Sequence, residues 1–284
     1  MSRFSVAIGV ARPVGLLAAG LLLLAACGPG TSNSPSSGGQ SGTPSSGGKG
    51  SSGCQGGGSG GQGGSGCQDG QGGSGGGLDT TLFPATVGNT WVYTDSLASL
   101  GSKKGTTTNM ITAVTPDSGG EKVTISTTSQ IPGLPSTPAS LTYQFNSDGS
   151  IGVPLSQLGN GSTSIKIKSG GIVWPSRAVL ESGQPHNSTL GLQISAAGRT
   201  LNVNAHVTVK GVGNQPVTVP AGSYTATLVD ETITETVAGT TVTIEVQTWL
   251  ANGIGPVKSV ASTKTGTGAS QIVSTEELKS FHQG

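Results

Sequence analysis

Three histidines, three cysteines and 13 acidic residues are the side chains of this 284-residue chain best suited to acid–base, nucleophilic or metal chemistry. Their spacing decides what they can do. His186, His206 and His282 stand far apart, and His206 alternates with Asn204 and Thr208 on a polar strand face, the setting of a solvated histidine. Asp230-Glu231 with Glu235 gathers carboxylates, but period-two alternation sends the first two to opposite faces, so the group reads as a solvated edge. A glycosidase needs two acidic groups about 5–10 Å apart in a cleft. Only 12 acidic residues follow Leu78, none of them in an aromatic-rich motif. The pattern G-x-S-x-G occurs at Gly57 to Gly61 and at Gly72 to Gly76, but a nucleophile elbow works only on a strand-to-helix turn, and these lie in glycine coil. There is no H-E-x-x-H, C-x-x-C or Asp-rich calcium loop. The residues therefore predict a protein that is not an enzyme, with no catalytic residue, no metal ligands and no cofactor.

One cysteine does have a chemical setting. Arg3 and Arg12 precede an apolar run over 14–26 that includes four successive leucines, Leu21 to Leu24. That run is shorter than the roughly 20 apolar residues a spanning helix needs, and it fits the apolar core of a signal peptide. It ends in Leu24-Ala25-Ala26-Cys27, which resembles the bacterial lipobox. The Cys27 sulfur would take a diacylglyceryl group as a thioether, and the small residues before it would let a peptidase reach the bond. At about 0.8 kcal/mol per buried CH₂, two or more acyl chains such as palmitate anchor stably where one is marginal. Residues 1–26 are thus expected to be a lipoprotein signal peptide, with the mature chain held on the cell membrane or the outer membrane and facing away from the cytoplasm.

Residues 27–77 read as the lipidated cysteine and a disordered tether. Among the 50 residues from Gly28 to Gly77 there are 23 glycines and no aromatic residue, too little apolar surface to offset the entropy of ordering. Such a coil reaches on the order of 40 Å. Cys54 and Cys67 sit within it in similar contexts, and outside the cytosol they can close a disulfide or stay as free or intermolecular thiols.

The core must lie in 78–284, because nine of the ten aromatic residues follow position 80. Leu201, Val203, Ala205, Val207 and Val209 alternate with polar residues, as do Val242, Ile244 and Val246, and Leu141, Tyr143 and Phe145. Glycine, Asn and Asp punctuate these runs at Ser147-Asp148-Gly149, Ala197-Gly198, Gly213-Asn214 and Ala238-Gly239, the signature of antiparallel hairpins. About ten to twelve strands are expected, with short helices only over 175–182 and 275–281. One-sided alternation on so many strands requires the apolar faces to be covered. The fold class is therefore all-β: a single, strongly curved antiparallel sheet or open barrel, with at most one or two short helices. Removing Arg3 and Arg12 leaves 12 basic against 13 acidic residues, a balance that offers nucleic acid no electrostatic footprint.

Three stretches occur in order: Phe83-Pro84 with Val87-Gly88-Asn89-Thr90-Trp91-Val92-Tyr93, then Val217 to Tyr224, then Trp249 to Lys258. Together they resemble an uncharacterised family of bacterial exported domains labelled TapB-like. That resemblance implies a curved sheet like those of periplasmic lipoprotein carriers, whose concave face holds an acyl chain. Trp91, Tyr93, Trp174 and Trp249 would then be candidates to contact an apolar ligand. The expected function is an anchored, non-enzymatic binding domain for a lipid or an envelope protein. The alternative is a structural or adhesive lipoprotein whose polar outer face meets polysaccharide. A hydrolase is the third reading.

Overall fold

A computed structural model describes residues 82–284, except 102, 133–135, 137, 154–162, 197–198 and 238. Cys27, Cys54 and Cys67 lie outside the described residues. Thirteen strands follow in chain order: β1 (Thr90–Leu97), β2 (Lys104–Asp117), β3 (Gly120–Gln130), β4 (Pro138–Asn146), β5 (Ile151–Val153), β6 (Thr163–Gly170), β7 (Ile172–Trp174), β8 (His186–Ala196), β9 (Arg199–Val219), β10 (Gly222–Val237), β11 (Thr240–Ala251), β12 (Gly255–Thr265) and β13 (Gln271–His282). One α-helix, α1 (Arg177–Ser182), lies between β7 and β8, and a 3-10 turn, Ala98–Leu100, follows β1.

All thirteen strands form one antiparallel sheet, ordered β6-β8-β9-β10-β11-β12-β13-β1-β2-β3-β4-β5-β7. The strands at its two ends, β6 and β7, are separated in sequence by Gly171 alone. The sheet therefore curls into a nearly closed barrel, as the alternating pattern predicts. Gly170 makes the bend at φ +73, and a Cβ there would collide with the carbonyl oxygen of Thr189. Curling brings the two edge strands to the same side of the sheet, where an open sheet would hold them far apart.

Buried positions repeat every second residue, as in β1 with Trp91, Tyr93, Asp95 and Leu97. The interior holds two apolar clusters. One is built around Ile172, Trp174, Leu190, Val207, Ile233 and Ile244, the other around Phe83, Trp91, Ile125, Tyr143, Phe145 and Leu278. Across the end of the β9–β10 hairpin, Val217, Val219 and Ala226 join the second cluster, and the Ala221 N–H donates to the Leu278 carbonyl at 2.9 Å.

The helix expected over 175–182 is α1, whose Leu180 is buried and whose end is capped by Gly183 in the left-handed region at φ 67. The helix expected over 275–281 is instead part of β13. Glu276-Glu277-Leu278-Lys279 has helical propensity, but β13 is bonded on both sides, to β12 and to β1, and two hydrogen-bonded ladders outweigh it. Gly213-Asn214 is not a turn either. β9 runs straight through it, with a register shift opposite Leu228 and Val229, a bulge that glycine accommodates.

Candidate functional site

The strand registers line up a row of polar side chains on the inside of the sheet. Asp95 on β1 lies directly opposite Glu276 on β13, Glu276 lies opposite Ser259 on β12, and Ser259 opposite Thr248 on β11. In the other direction Thr107 Oγ1 on β2 donates to Asp95 Oδ2 at 2.5 Å, and Thr107 and Ser129 on β3 share a hydrogen bond of 2.8 Å. Beside this row Thr127 Oγ1 donates to Asn109 Oδ1 at 2.9 Å. All six members of the row are buried, from Thr107 and Asp95 at 1% exposed to Ser129 and Ser259 at 7%. Adjacent strands lie about 4.7–4.9 Å apart, and side chains directly opposite on one face meet at about that distance.

Two carboxyl groups facing each other inside a sheet shape the electrostatics around them. The Tyr93 phenol donates to the Pro256 carbonyl at 2.9 Å. Burial above all, then Glu276 and Asp95, raises its pKa well above the ordinary tyrosine value. Burial, Glu276 and Glu231 raise Tyr143 in the same way. Both phenols stay protonated hydrogen-bonding groups.

Two further acids, Glu231 and Glu235, face inward from β10. Burial raises Glu231, while the hydrogen bond from Trp174 Nε1 to Glu231 Oε2, 2.9 Å, opposes the shift. Burial alone pushes Glu235 up to about 7. Neither Glu235 oxygen has a hydrogen-bond partner among the described residues, and the same holds for the hydroxyls of Ser259 and Ser274. The solvated edge expected for Glu231 and Glu235 is thus overturned. β10 is a central strand between β9 and β11, so its inward carboxylates are enclosed, and only Asp230 turns outward.

The candidate ligand-contacting aromatics separate. Trp91 and Tyr93 line one cleft together with Phe83, Thr248, Ser259 and Glu276. Trp91 is 1% exposed, donates from Nε1 to the Ile254 carbonyl at 2.6 Å, and packs against Phe83 and Phe281 with ring centroids 5.5 and 5.3 Å away. Trp174 lines a second cleft with Leu82, Ile151, Leu180 and Leu250. Each cleft has room for about one or two water molecules, far less than an acyl chain occupies. Trp249 is half-buried elsewhere, with Lys258 Nζ 5.9 Å from its ring centroid and Lys258 paired to Glu277 at 3.0 Å.

The outer face of β8–β11 has a different chemistry. Asn187, Thr208, Thr232 and Glu245 stand opposite one another across four strands, and so do Thr189, His206, Thr234 and Thr243. Cross-strand hydrogen bonds on this face run from Thr208 to Asn187 at 2.8 Å, from Gln193 to Asn202 at 3.3 Å and from Gln247 to Asp230 at 3.1 Å. His206 is exposed on this face, as its alternation predicts. Among the described residues, no group of three or more His, Cys, Asp or Glu side chains is placed to hold a metal ion, and no helix is long and apolar enough to cross a membrane.

Sequence reasoning passed over Asp95, Glu276 and Ser259. Asp95 continues the alternation of Trp91 and Tyr93 and was within reach of a period-two reading. Glu276 was hidden by the helical propensity of its neighbours.

No curated protein matches the chain. A solved structure of a Bacteroides fragilis protein, described as exported with a YmcC-like fold, is similar over 72% of this chain and 99% of that one, at 16% identity and a TM-score of 0.49. A Parabacteroides distasonis protein, described as a lipoprotein, is similar over 71% of this chain and 98% of its own, at 15% identity and a TM-score of 0.52. The latter likeness is one of fold, and it covers nearly all of that protein. Within the β domain, residues 144–274, from the end of β4 into β13, match the family model described as DUF3108-like.

Proposed function

We propose that this chain is a lipid-anchored protein of the bacterial envelope whose β domain is a non-enzymatic binding module, presenting the outer face of β8–β11 to envelope polysaccharide. The observation that carries this reading is the contrast between the two faces of the sheet. The two clefts lined by Trp91 and by Trp174 each have room for only a water or two, whereas the outer face carries rows rich in hydroxyl and other polar groups. Those rows repeat at the strand spacing of about 4.7–4.9 Å, and donors and acceptors in register suit a polymer of repeating hydroxyl groups. An apolar ligand held in either cleft would require it to widen. Anchoring rests on Leu24-Ala25-Ala26-Cys27 and on the glycine-rich stretch after it, and the description of the Parabacteroides distasonis protein as a lipoprotein agrees with it.

Two experiments test the two halves of the reading. With Cys27→Ser, the chain is expected in the soluble fraction; continued sedimentation with membranes would refute the anchor. In pull-down on purified envelope polysaccharide, the full chain is expected to be retained, and Thr232→Lys with Thr234→Lys to weaken retention about tenfold. Equal retention of both proteins would refute the contact face.

A further inference from the structure

We infer that the turn between β11 and β12 carries a self-modifying asparagine: Asn252 converts to aspartate and isoaspartate through a cyclic imide formed with Gly253, and Arg177 promotes the step. Among the described residues Asn252 is the only asparagine followed by glycine. Both residues are exposed, and the Ile254 N–H, donating to the Ala251 carbonyl at 3.1 Å, closes the turn around them. Glycine has no Cβ to shield its backbone nitrogen, and Gly253, at φ +71, has open space beside it. The nitrogen is therefore free to approach the neighbouring side chain. Attack within one chain needs no encounter with a second molecule.

The chemistry balances with water alone. The Gly253 nitrogen gives up its proton and bonds to Asn252 Cγ; the Cγ–Nδ2 bond then breaks, and the side-chain amide leaves as ammonia with that proton. Water next opens the imide at either carbonyl, giving aspartate or, where the main chain reroutes through Cγ, isoaspartate. During the attack negative charge gathers on Oδ1, and there the structure places a cation. Arg177 Nη1, at the start of α1, donates to Asn252 Oδ1 at 3.4 Å, and Arg177 Nε donates to Glu181 Oε1 at 2.6 Å, which steadies the guanidinium. A donor already aimed at a developing oxyanion lowers the barrier, and it forms a charge-assisted pair with the carboxylate that results. The turn also reaches the core. Its Ile254 carbonyl accepts the hydrogen bond of the buried Trp91 indole at 2.6 Å, so the extra main-chain carbon of isoaspartate displaces that acceptor.

The test ages the full chain in warm, slightly alkaline buffer and maps it with trypsin, which yields residues 211–258 as one peptide. The expected result is an amide-to-acid mass gain located at 252, in two forms separable by chromatography, together with a drift in tryptophan emission. Asn252→Gln should abolish both the gain at 252 and the drift. Arg177→Gln should slow the gain several-fold, and Arg177→Lys should recover part of the rate. Asn160-Gly161 falls in a different peptide and serves as an internal clock. Residue 252 unchanged by the time Asn160 has converted overturns the proposal, as does a rate that Arg177→Gln leaves at the wild-type value.

Discussion

Trp174 donates its indole N–H to Glu231 Oε2 at 2.9 Å, joining β7, at one end of the sheet, to β10 in its middle. The bond crosses the interior, so it can form only because the sheet curls. It also supplies the one partner that the described residues give to Glu231, whose other oxygen has none. Replacing Trp174 with Phe keeps the aromatic packing and removes the donor. The expected cost is about 1–3 kcal/mol, the penalty for stranding a buried acceptor. Glu231→Leu in the same background should recover most of it, and a double-mutant cycle from urea melts would show the coupling.

Glu235 predicts an unusual pH dependence. Its carboxyl is raised from an ordinary 4.5 to about 7 by burial, so between those values the folded state binds more protons than the unfolded state. Linkage then makes stability fall as pH rises. The contribution is full below about pH 4.5 and is lost as pH rises through 7, on the order of 3 kcal/mol in all. Glu235→Gln should flatten that part of the profile. Wild-type and variant urea midpoints measured at pH 5 and pH 8 would check it, and parallel slopes would refute it.

How far the sequence discloses this molecule depends on which face of a strand is read. Val203 to Val209 and Val242 to Val246 alternate with polar residues so regularly that the curved sheet follows from them, and their inward side chains are buried. Asp95, Glu231, Glu235, Ser259 and Glu276 escaped because polarity normally marks the outer face, whereas here polar residues occupy inward positions. Their interior placement is fixed by register and by neighbouring strands far away in sequence, such as β1 beside β13. Period-two counting carries the face but not the partner. Gly213 reads as a turn in sequence because a bulge and a turn use the same residue for the same conformational freedom, and only the pairing with β10 separates them.

Closure of the barrel hangs on adjacent glycines with unequal duties. Gly170 adopts φ +73, and a Cβ there would strike the Thr189 carbonyl oxygen; Gly171 has open space around it and no such φ. Gly170→Ala is therefore expected to cost about 2 kcal/mol or more, from left-handed strain and the clash together. Gly171→Ala should stay within about 0.5 kcal/mol of wild type. Thermal melts of the pair would decide this. Equal effects would mean that β6 and β7 are not joined by a bend at Gly170.

Ser259 and Ser274 make a closer comparison still. Both are buried, both hydroxyls lack a partner among the described residues, and they sit on neighbouring strands. Their surroundings differ: Ser274 lies opposite Leu97 and Ala261, whereas Ser259 lies between Glu276 and Thr248 in the polar row. Removing a stranded hydroxyl from an apolar setting relieves its desolvation, so Ser274→Ala should be neutral or stabilising by about 1 kcal/mol. Ser259→Ala removes a hydroxyl dipole from beside the Glu276 carboxyl, so it should cost about 0.5–1 kcal/mol instead. The two variants should therefore move the urea midpoint in opposite directions. If both variants shifted the midpoint alike, burial alone rather than the polar neighbours of Ser259 would account for both.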